Sequence, residues 1–129
     1  MQALVVDDSR ATRMILKRML ASLGFDAVAE AEHGLDALGQ LAGGCRPDVV
    51  LCDWNMPEMD GIAFVRHLRG QPEYERLPVL MVTSESSPRQ VYEALRAGAD
   101  DFAIKPITAA LVAQKLASLG IFADERVAG

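Results

Sequence analysis

The sequence predicts an α/β fold: a doubly wound, five-stranded parallel sheet with helices on both faces, arranged in three layers. Three observations support this prediction. Short apolar runs alternate with segments of helical period in five cycles along the 129 residues, which is the pattern of βα units in a parallel sheet. The apolar runs are rich in Val, Leu and Ile, as strands covered on both faces are. The length and the 50% hydrophobic content fit one domain with a substantial core.

Strands are predicted where a short apolar run is followed by polar or turn-forming residues. The predicted strands are three or four residues long, which is far below the roughly 20 residues needed to span a bilayer. The predicted strands are Ala3–Val6, Ala27–Ala29, Val49–Cys52, Val79–Val82 and Asp101–Ile104.

The first helix is predicted to begin near Ser9 and to end before Gly24, where a glycine cap is expected. Apolar residues recur at helical spacing along this segment and define one face that would cover the sheet. The predicted face consists of Ile15, Leu16, Met19, Leu20 and Leu23.

The four later helices are predicted from capping residues at their starts and glycines at their ends. The predicted segments are Leu35–Ala42 before Gly43, Ile62–Leu68 after the cap Asp60, Ser87-Pro88 to Gly98, and Thr108 to Gly120. Together these elements predict one domain over residues 1–122, and the small, charged tail over residues 123–129 is expected to fray.

Charge and composition exclude several classes of function. Lys and Arg number 13 against 18 Asp and Glu, which gives a net charge of −5 and disfavours binding to nucleic acid. No apolar run predicts a membrane span, and the N-terminus lacks the features of a secretory signal, so a cytoplasmic location is expected. The two cysteines, Cys45 and Cys52, are predicted to be reduced thiols.

Polar residues follow four of the five predicted strands directly. They are Asp7-Asp8, Asp53, Thr83 and Lys105. The carboxyl ends of parallel strands share one edge of the sheet, and ligands bind outside that edge. We therefore expect these side chains to converge. Converging carboxylates repel one another unless a cation neutralises them, and oxygen-only ligands that leave room for water and a phosphoryl group favour Mg²⁺.

Asp53 is the candidate nucleophile of this predicted site. A cation, the Lys105 ammonium and the Thr83 hydroxyl would together suit phosphoryl oxygens, and a carboxylate that attacks phosphorus forms an aspartyl phosphate. Any of these residues alone would more often be a helix cap or a solvated loop residue. Their joint placement on one edge has no common folding explanation. Asp60 and Ser87 are interpreted as caps only, and His33 and His67 as solvated surface residues.

The segment from Asp53 to Gly61 (DWNMPEMDG), with Asp7-Asp8, Thr83-Ser84 and Lys105-Pro106, closely resembles the receiver domain of two-component response regulators. The similarity is greatest to the single-domain, CheY-like chemotaxis type and covers nearly the whole chain. It implies a flavodoxin-like fold with the strand order 2-1-3-4-5, which the pattern of apolar runs does not fix.

The resemblance also implies a role for each matching residue. Asp53 matches the phospho-acceptor; Asp8 and Asp53 would bind Mg²⁺ through their side chains, Asn55 through its main-chain carbonyl, and Asp7 through a water molecule. Thr83 and Lys105 match the pair that senses the phosphoryl group. The resemblance further implies a cis bond before Pro106, a switch role for Phe102, and control of dephosphorylation by Asn55 and Glu85. Plain strand packing is an equally good interpretation of Phe102.

The predicted function is a phosphorylation-activated signalling switch, with chemotaxis as one candidate pathway. A histidine kinase or phosphotransfer protein would supply the phosphoryl group to Asp53 in an Mg²⁺-dependent reaction. A downstream target would bind the face formed by the fourth helix, the fifth strand and the fifth helix. The protein is expected to catalyse only its own phosphorylation and dephosphorylation, and to be monomeric before phosphorylation.

Two other functions fit parts of the sequence less well. A small phosphohydrolase with an aspartate nucleophile would use Asp53, but Asn55 lacks the carboxylate that such chemistry needs for acid-base catalysis. A flavin-binding module of similar fold is disfavoured because Asp7-Asp8 would repel the cofactor phosphate.

Overall fold

The computed structural model describes residues 1–121, and the predicted tail over residues 123–129 lies outside them. Five strands form one parallel sheet in the order β2-β1-β3-β4-β5, which confirms the expected fold and strand order. The elements are β1 (Gln2–Val6), α1 (Arg10–Ser22), β2 (Ala27–Ala31), α2 (Gly34–Ala42), β3 (Val49–Cys52), α3 (Gly61–Arg69), a 3-10 turn (Pro72–Tyr74), β4 (Val79–Thr83), α4 (Pro88–Ala97), β5 (Asp101–Ile104) and α5 (Ala109–Ser118).

The sheet separates two apolar cores because successive side chains of each strand point to opposite faces. On β1, Leu4 and Val6 face the core beneath α2, α3 and α4, whereas Ala3 and Val5 face the core beneath α1 and α5. All four are fully buried. This arrangement accounts for the continuous apolar runs that predicted the central strands, since both faces are covered.

The apolar face predicted for α1 is partly wrong. Leu16 and Leu20 are buried, but Ile15 is 52% exposed. The helix turns Arg13 toward the sheet instead, and this residue is only 8% exposed. Arg13, Leu16 and Leu20 follow the spacing i, i+3 and i+7, which defines the face that contacts the sheet. Phe25, in the turn after the helix, completes this part of the core.

Two further details differ from the sequence prediction. β2 continues to Ala31, two residues beyond the predicted end, because it pairs with β1 along the whole length of that strand. His33 is half-buried and forms the N-cap of α2, where its Nδ1 accepts a hydrogen bond from the Asp36 N–H at 3.1 Å. The prediction of a solvated His33 was therefore wrong.

The carboxyl-terminal end of α4 is fastened to the neighbouring elements by one side chain. Arg69, at the end of α3, donates hydrogen bonds to the carbonyl oxygens of Gly98 and Tyr74 at 2.9 and 2.8 Å. It also forms an ion pair with Asp100 at 3.0 Å. Gly98 ends α4 with φ of 121°, a conformation that favours glycine.

Candidate functional site

Three carboxylates meet at the carboxyl edge of the sheet. Asp7 and Asp8 follow β1, and Asp53 follows the neighbouring strand β3. Each residue offers a carboxylate oxygen, and the three oxygens lie within 4.8 Å of one another. The main chain holds this edge in register, because the N–H of Asp53 donates to the carbonyl of Val6 at 2.9 Å. We call Asp7, Asp8 and Asp53 the carboxylate cluster.

Lys105 places its ammonium between two members of this cluster. Its Nζ lies 2.9 Å from Asp7 Oδ2 and 3.1 Å from Asp53 Oδ2. The main chain of Lys105 is tied to β4 through a 2.8 Å hydrogen bond to the Thr83 carbonyl, and the following bond to Pro106 is cis. The convergence expected for Asp7, Asp8, Asp53 and Lys105 is therefore present in the structure.

Burial and charge perturb the two partners of this ion pair. Burial raises the pKa of Asp7, although hydrogen bonds from the Ser9 N–H and from Lys105 act in the opposite direction. Burial alone would lower the pKa of Lys105, but its hydrogen bonds to Asp7 and Asp53 outweigh burial and raise it. The site thus holds a firmly protonated amine beside one buried carboxyl group, Asp7, whose pKa is raised.

Asp53 occupies the centre of the site. Its Oδ1 accepts a 2.7 Å hydrogen bond from the Trp54 N–H, while Oδ2 accepts from Lys105. The side chain remains 11% exposed, so a donor molecule can reach it. Asp8 is exposed, and its carboxylate has no hydrogen-bond or ion-pair partner among residues 1–121. These oxygen-only donors suit a hard divalent cation that keeps several water ligands.

A glycine allows the chain after Asp53 to fold back onto the site. A Cβ atom at Gly61 would lie 2.1 Å from the Asp53 carbonyl oxygen, and the Gly61 N–H donates to the Trp54 carbonyl at 2.8 Å. Helix α3 starts at this glycine, with Asp60 as the predicted cap accepting from the Ala63 N–H at 2.8 Å. The close approach explains why glycine is needed after the acidic loop.

The two predicted switch residues make no hydrogen bond to the carboxylate cluster within residues 1–121. Thr83 is fully buried at the end of β4, and its Oγ1 accepts a 3.2 Å hydrogen bond from the Glu85 N–H. It makes no hydrogen bond to Asp53 within residues 1–121. Phe102 is 8% exposed and belongs to the core beneath α2, α3 and α4, which is the strand-packing interpretation of this aromatic residue.

A second set of polar side chains connects the loop after β3 with the loop after β4. The Asn55 side-chain amide donates a short hydrogen bond to Glu85 Oε1, and Gln90 Nε2 donates to Glu85 Oε2 at 2.7 Å. Gln90 in turn accepts from the hydroxyl of Ser87, the N-cap of α4, at 2.8 Å. We call Asn55, Glu85 and Gln90 the polar bridge. It links the site to the first turn of α4.

Sequence reasoning missed two residues near the site, Arg13 and Gln90. Both lie on amphipathic helices, where long polar side chains are usually solvated. The signal for Arg13 was its helical spacing from Leu16 and Leu20, and the signal for Gln90 was a capping-box pattern, Ser87-x-x-Gln90.

A doubly wound sheet with a lysine-paired aspartate cluster at its carboxyl edge defines a class of protein: an α/β module with an acidic site suited to phosphorylation of an aspartate. The sequence profile of the response regulator receiver domain matches residues 3–117. The chain belongs to this family.

Individual proteins agree with the family match. The chain is 43% identical over 116 residues to a chemotaxis protein CheY homolog of Campylobacter jejuni, covering 90% of this chain and 89% of the relative. The crystallised chemotaxis protein CheY4 of Vibrio cholerae is 35% identical, with a TM-score of 0.84 over 92% of this chain and 97% of that one. A CheX–CheY–BeF3–Mg²⁺ complex from Borrelia burgdorferi contains a chain 29% identical, with a TM-score of 0.86 over 94% and 90%.

These comparisons identify the protein as a phosphorylation-activated signalling switch with chemotaxis relatives, and such domains are not in general turnover enzymes. They give no support to the phosphohydrolase alternative. None of the helices in residues 1–121 combines the length and the apolar character that crossing a bilayer requires.

Proposed function

We propose that Asp53 accepts a phosphoryl group from the phosphohistidine of a partner protein. A carboxylate oxygen of Asp53 forms the new bond to phosphorus while the phosphorus–nitrogen bond breaks, and the histidine leaves. The observation that carries this proposal is the Lys105 ammonium bonded to both Asp7 and Asp53 beside a third carboxylate. Lys105 supplies a fixed positive charge for the negative charge of the transferring group.

We propose that the same cluster binds Mg²⁺. The residues that would hold the ion are the carboxylates of Asp8 and Asp53, the main-chain carbonyl of Asn55, and Asp7 through a water molecule. Two of the three clustered carboxylates share the single Lys105 ammonium, and Asp8 has no partner within residues 1–121, so the cluster has a deficit of positive charge. A bound Mg²⁺ would neutralise the carboxylates and the phosphoryl oxygens. The Mg²⁺ in the Borrelia burgdorferi complex supports this assignment.

We further propose that Thr83 and Phe102 carry the response. The Thr83 hydroxyl accepts a hydrogen bond from the Glu85 N–H. Attraction of this hydroxyl to a phosphoryl group on Asp53 would break that bond. Movement of the Thr83 side chain toward Asp53 would also leave space beside Phe102. The surface that changes is the face of α4, β5 and α5. Exposed apolar side chains lie on it, namely Tyr92, Leu95 and Ile104, which are 61%, 45% and 37% exposed. Such side chains suit a downstream protein target.

Asn55 and Glu85 are proposed to control how fast water removes the phosphoryl group, because they join the two loops that flank Asp53. The protein would in this way catalyse only its own phosphorylation and dephosphorylation.

The phosphodonor is proposed to be a histidine kinase or phosphotransfer protein of a chemotaxis pathway, and the CheX–CheY complex supports a protein partner. Location in the cytoplasm, a monomeric resting state and a domain boundary at residue 122 remain predictions.

The test is phosphorylation by acetyl phosphate with Mg²⁺, followed by intact mass. We expect the wild-type protein to gain one phosphoryl group and Asp53→Asn to gain none. Asp60→Asn is the matched control, because asparagine preserves the cap of α3 and Asp60 lies outside the carboxylate cluster; it should react like the wild type. Phosphorylation of Asp53→Asn, or an unchanged mass of the wild type, would contradict the proposal. Many turnovers on a phosphate monoester would support the hydrolase instead.

A further inference from the structure

The buried guanidinium of Arg13 contacts the main chain that carries the first two carboxylates. Arg13 Nη1 donates a 2.8 Å hydrogen bond to the carbonyl oxygen of Asp7, in a buried environment. That carbonyl belongs to the peptide bond between Asp7 and Asp8. The N–H of Asp7 donates to the Ala31 carbonyl at 3.0 Å. Both main-chain groups of Asp7 are therefore fixed, one by β2 and the other by Arg13.

Asp8 depends on this main-chain fixation more than the other carboxylates do. Asp7 and Asp53 are each held by Lys105, and Asp53 also by the Trp54 N–H. The Asp8 side chain has no comparable partner among residues 1–121. The direction in which its carboxylate points is consequently set by the orientation of its own peptide, and the only side chain bonded to that peptide's carbonyl within this range is Arg13.

Arg13 itself is held in place by a second contact. Its Nε donates to Glu30 Oε1 at 3.1 Å, and the other oxygen of Glu30 accepts from Lys17 at 3.3 Å. Glu30 lies on β2, beside Val5 of β1. A guanidinium has rigidly oriented donors, so it can bind a carboxylate and a carbonyl at the same time. Removal of Arg13 would also leave the buried Asp7 carbonyl without its donor.

We infer that Arg13 is a positioning residue for the metal site, which orients the Asp7–Asp8 peptide so that the Asp8 carboxylate faces the other two acids. This inference rests on the proposed Mg²⁺ site. It predicts that removal of Arg13 changes the affinity for Mg²⁺ in the direction opposite to the one that electrostatic repulsion alone predicts. A positive charge close to the cluster repels a cation, so its removal would strengthen Mg²⁺ binding if charge alone mattered. If Arg13 positions Asp8, its removal weakens binding.

The experiment is a titration of metal-free protein with Mg²⁺, followed by Trp54 fluorescence and without any phosphodonor. We expect Arg13→Met to raise the Kd for Mg²⁺ about tenfold, as loss of residues that support metal ligands commonly does. Arg13→Gln, with a shorter neutral donor, should raise it at least about threefold. The matched control is Lys17→Met, which removes an equal charge and a bond to Glu30 but does not contact Asp7; its Kd should stay within about twofold.

Thermal unfolding in EDTA separates positioning from general stability. Glu30→Gln removes the charge of the ion pair between α1 and β2 but keeps a side-chain oxygen that can accept from Arg13 Nε, so it should lower the melting temperature while leaving Arg13 in place and the Kd nearly unchanged. A folded Arg13→Met or Arg13→Gln protein that binds Mg²⁺ as tightly as the wild type, or more tightly, would overturn the inference. A loss of affinity in Lys17→Met or Glu30→Gln as large as in Arg13→Met would overturn it too. A wild-type protein with no response to Mg²⁺ in fluorescence or calorimetry would instead contradict the proposed metal site.

Discussion

The carboxylate cluster and the polar bridge lie at the same edge of the sheet but differ in burial and in charge. In the cluster, Asp7 is 1% exposed and shares the Lys105 ammonium with Asp53. In the bridge, Asn55 is exposed, and neutral amides hold the single carboxylate of Glu85. One region is an arrangement of full charges in which Asp7 and Asp53 are largely shielded from water. The other is a chain of amide hydrogen bonds next to water.

This difference indicates which contacts of the site can rearrange. Charges that are shielded from water interact strongly, and removing one partner leaves another charge unpaired. An exposed amide hydrogen bond, in contrast, can be exchanged for one to water at small net cost. We therefore assign the chemistry to the cluster and the adjustable contacts to the bridge, which also reaches the first turn of α4.

The largest effect should come from removing the positive charge of the cluster. Lys105→Met leaves Asp7 and Asp53 without their shared cation, and we expect phosphorylation by acetyl phosphate to slow about 100-fold, as for loss of one charge-stabilising donor. The rate is measured by intact mass over time. Lys115→Met, which removes an equal charge paired with Asp101 on β5, should change the rate by less than about twofold. Equal rates for the two variants would remove the distinction between the regions.

The rigidity of the main chain beside the carboxylate cluster can be tested at Gly61. Gly61→Ala places a methyl group against the Asp53 carbonyl, and because main chain cannot move aside easily, we expect the free energy of unfolding in urea to fall by about 2 kcal/mol. Gly39→Ala in α2 is the control, since apart from its chain neighbours and the backbone of its own helix no heavy atom lies within 4 Å of its Cβ position, and it should stabilise the protein by about 0.5 kcal/mol. An unchanged stability in Gly61→Ala would show that this loop adapts.

The burial of Asp7 predicts a pH dependence of stability. Burial raises the pKa of Asp7 above its ordinary value of 3.8, so the folded state binds this proton more tightly than the unfolded state does. The stabilisation from the proton is complete below that ordinary value and is lost as the pH rises through the raised pKa. In EDTA, the stability of the wild type relative to Asp7→Asn should therefore fall over this range and then level off. A rising difference would contradict the shift.

The smallest effect is expected in the bridge. Gln90→Ala removes the amide that holds Glu85, and we expect the phosphoryl group to be lost about threefold faster, because loosening one hydrogen bond gives water easier access to Asp53. Phosphate release after removal of the donor measures this rate. Arg89→Ala is the control, since its partner is Glu93 on the same helix. A slower loss in Gln90→Ala, or the same change in Arg89→Ala, would show that the bridge does not restrain water.

The sequence predicted the fold and the carboxylate cluster because both follow from strand ends. Asp7, Asp53 and Lys105 each interrupt an apolar run at its carboxyl end, and parallel strands bring such ends together. The burial of Ile15 was predicted wrongly because apolar residues cover more than one side of α1. The capping role of His33 was missed because histidine is not among the preferred N-cap residues. Helical spacing and a capping-box pattern place Arg13 and Gln90 on their helices, but they do not encode which loop group each side chain contacts, the Asp7 carbonyl or the Glu85 carboxylate.

The bonds of Arg69 give α4 a fixed end. Arg69 binds the Gly98 carbonyl at the helix terminus remote from Asp53 and is itself held by Tyr74 and Asp100, whereas within residues 1–121 the opposite terminus is hydrogen-bonded to the site through Glu85, Gln90 and the Ser87 cap. A helix anchored in this way would pivot about its anchored end. We expect any displacement of α4 to be smallest at Gly98 and to grow with distance along the axis toward Pro88.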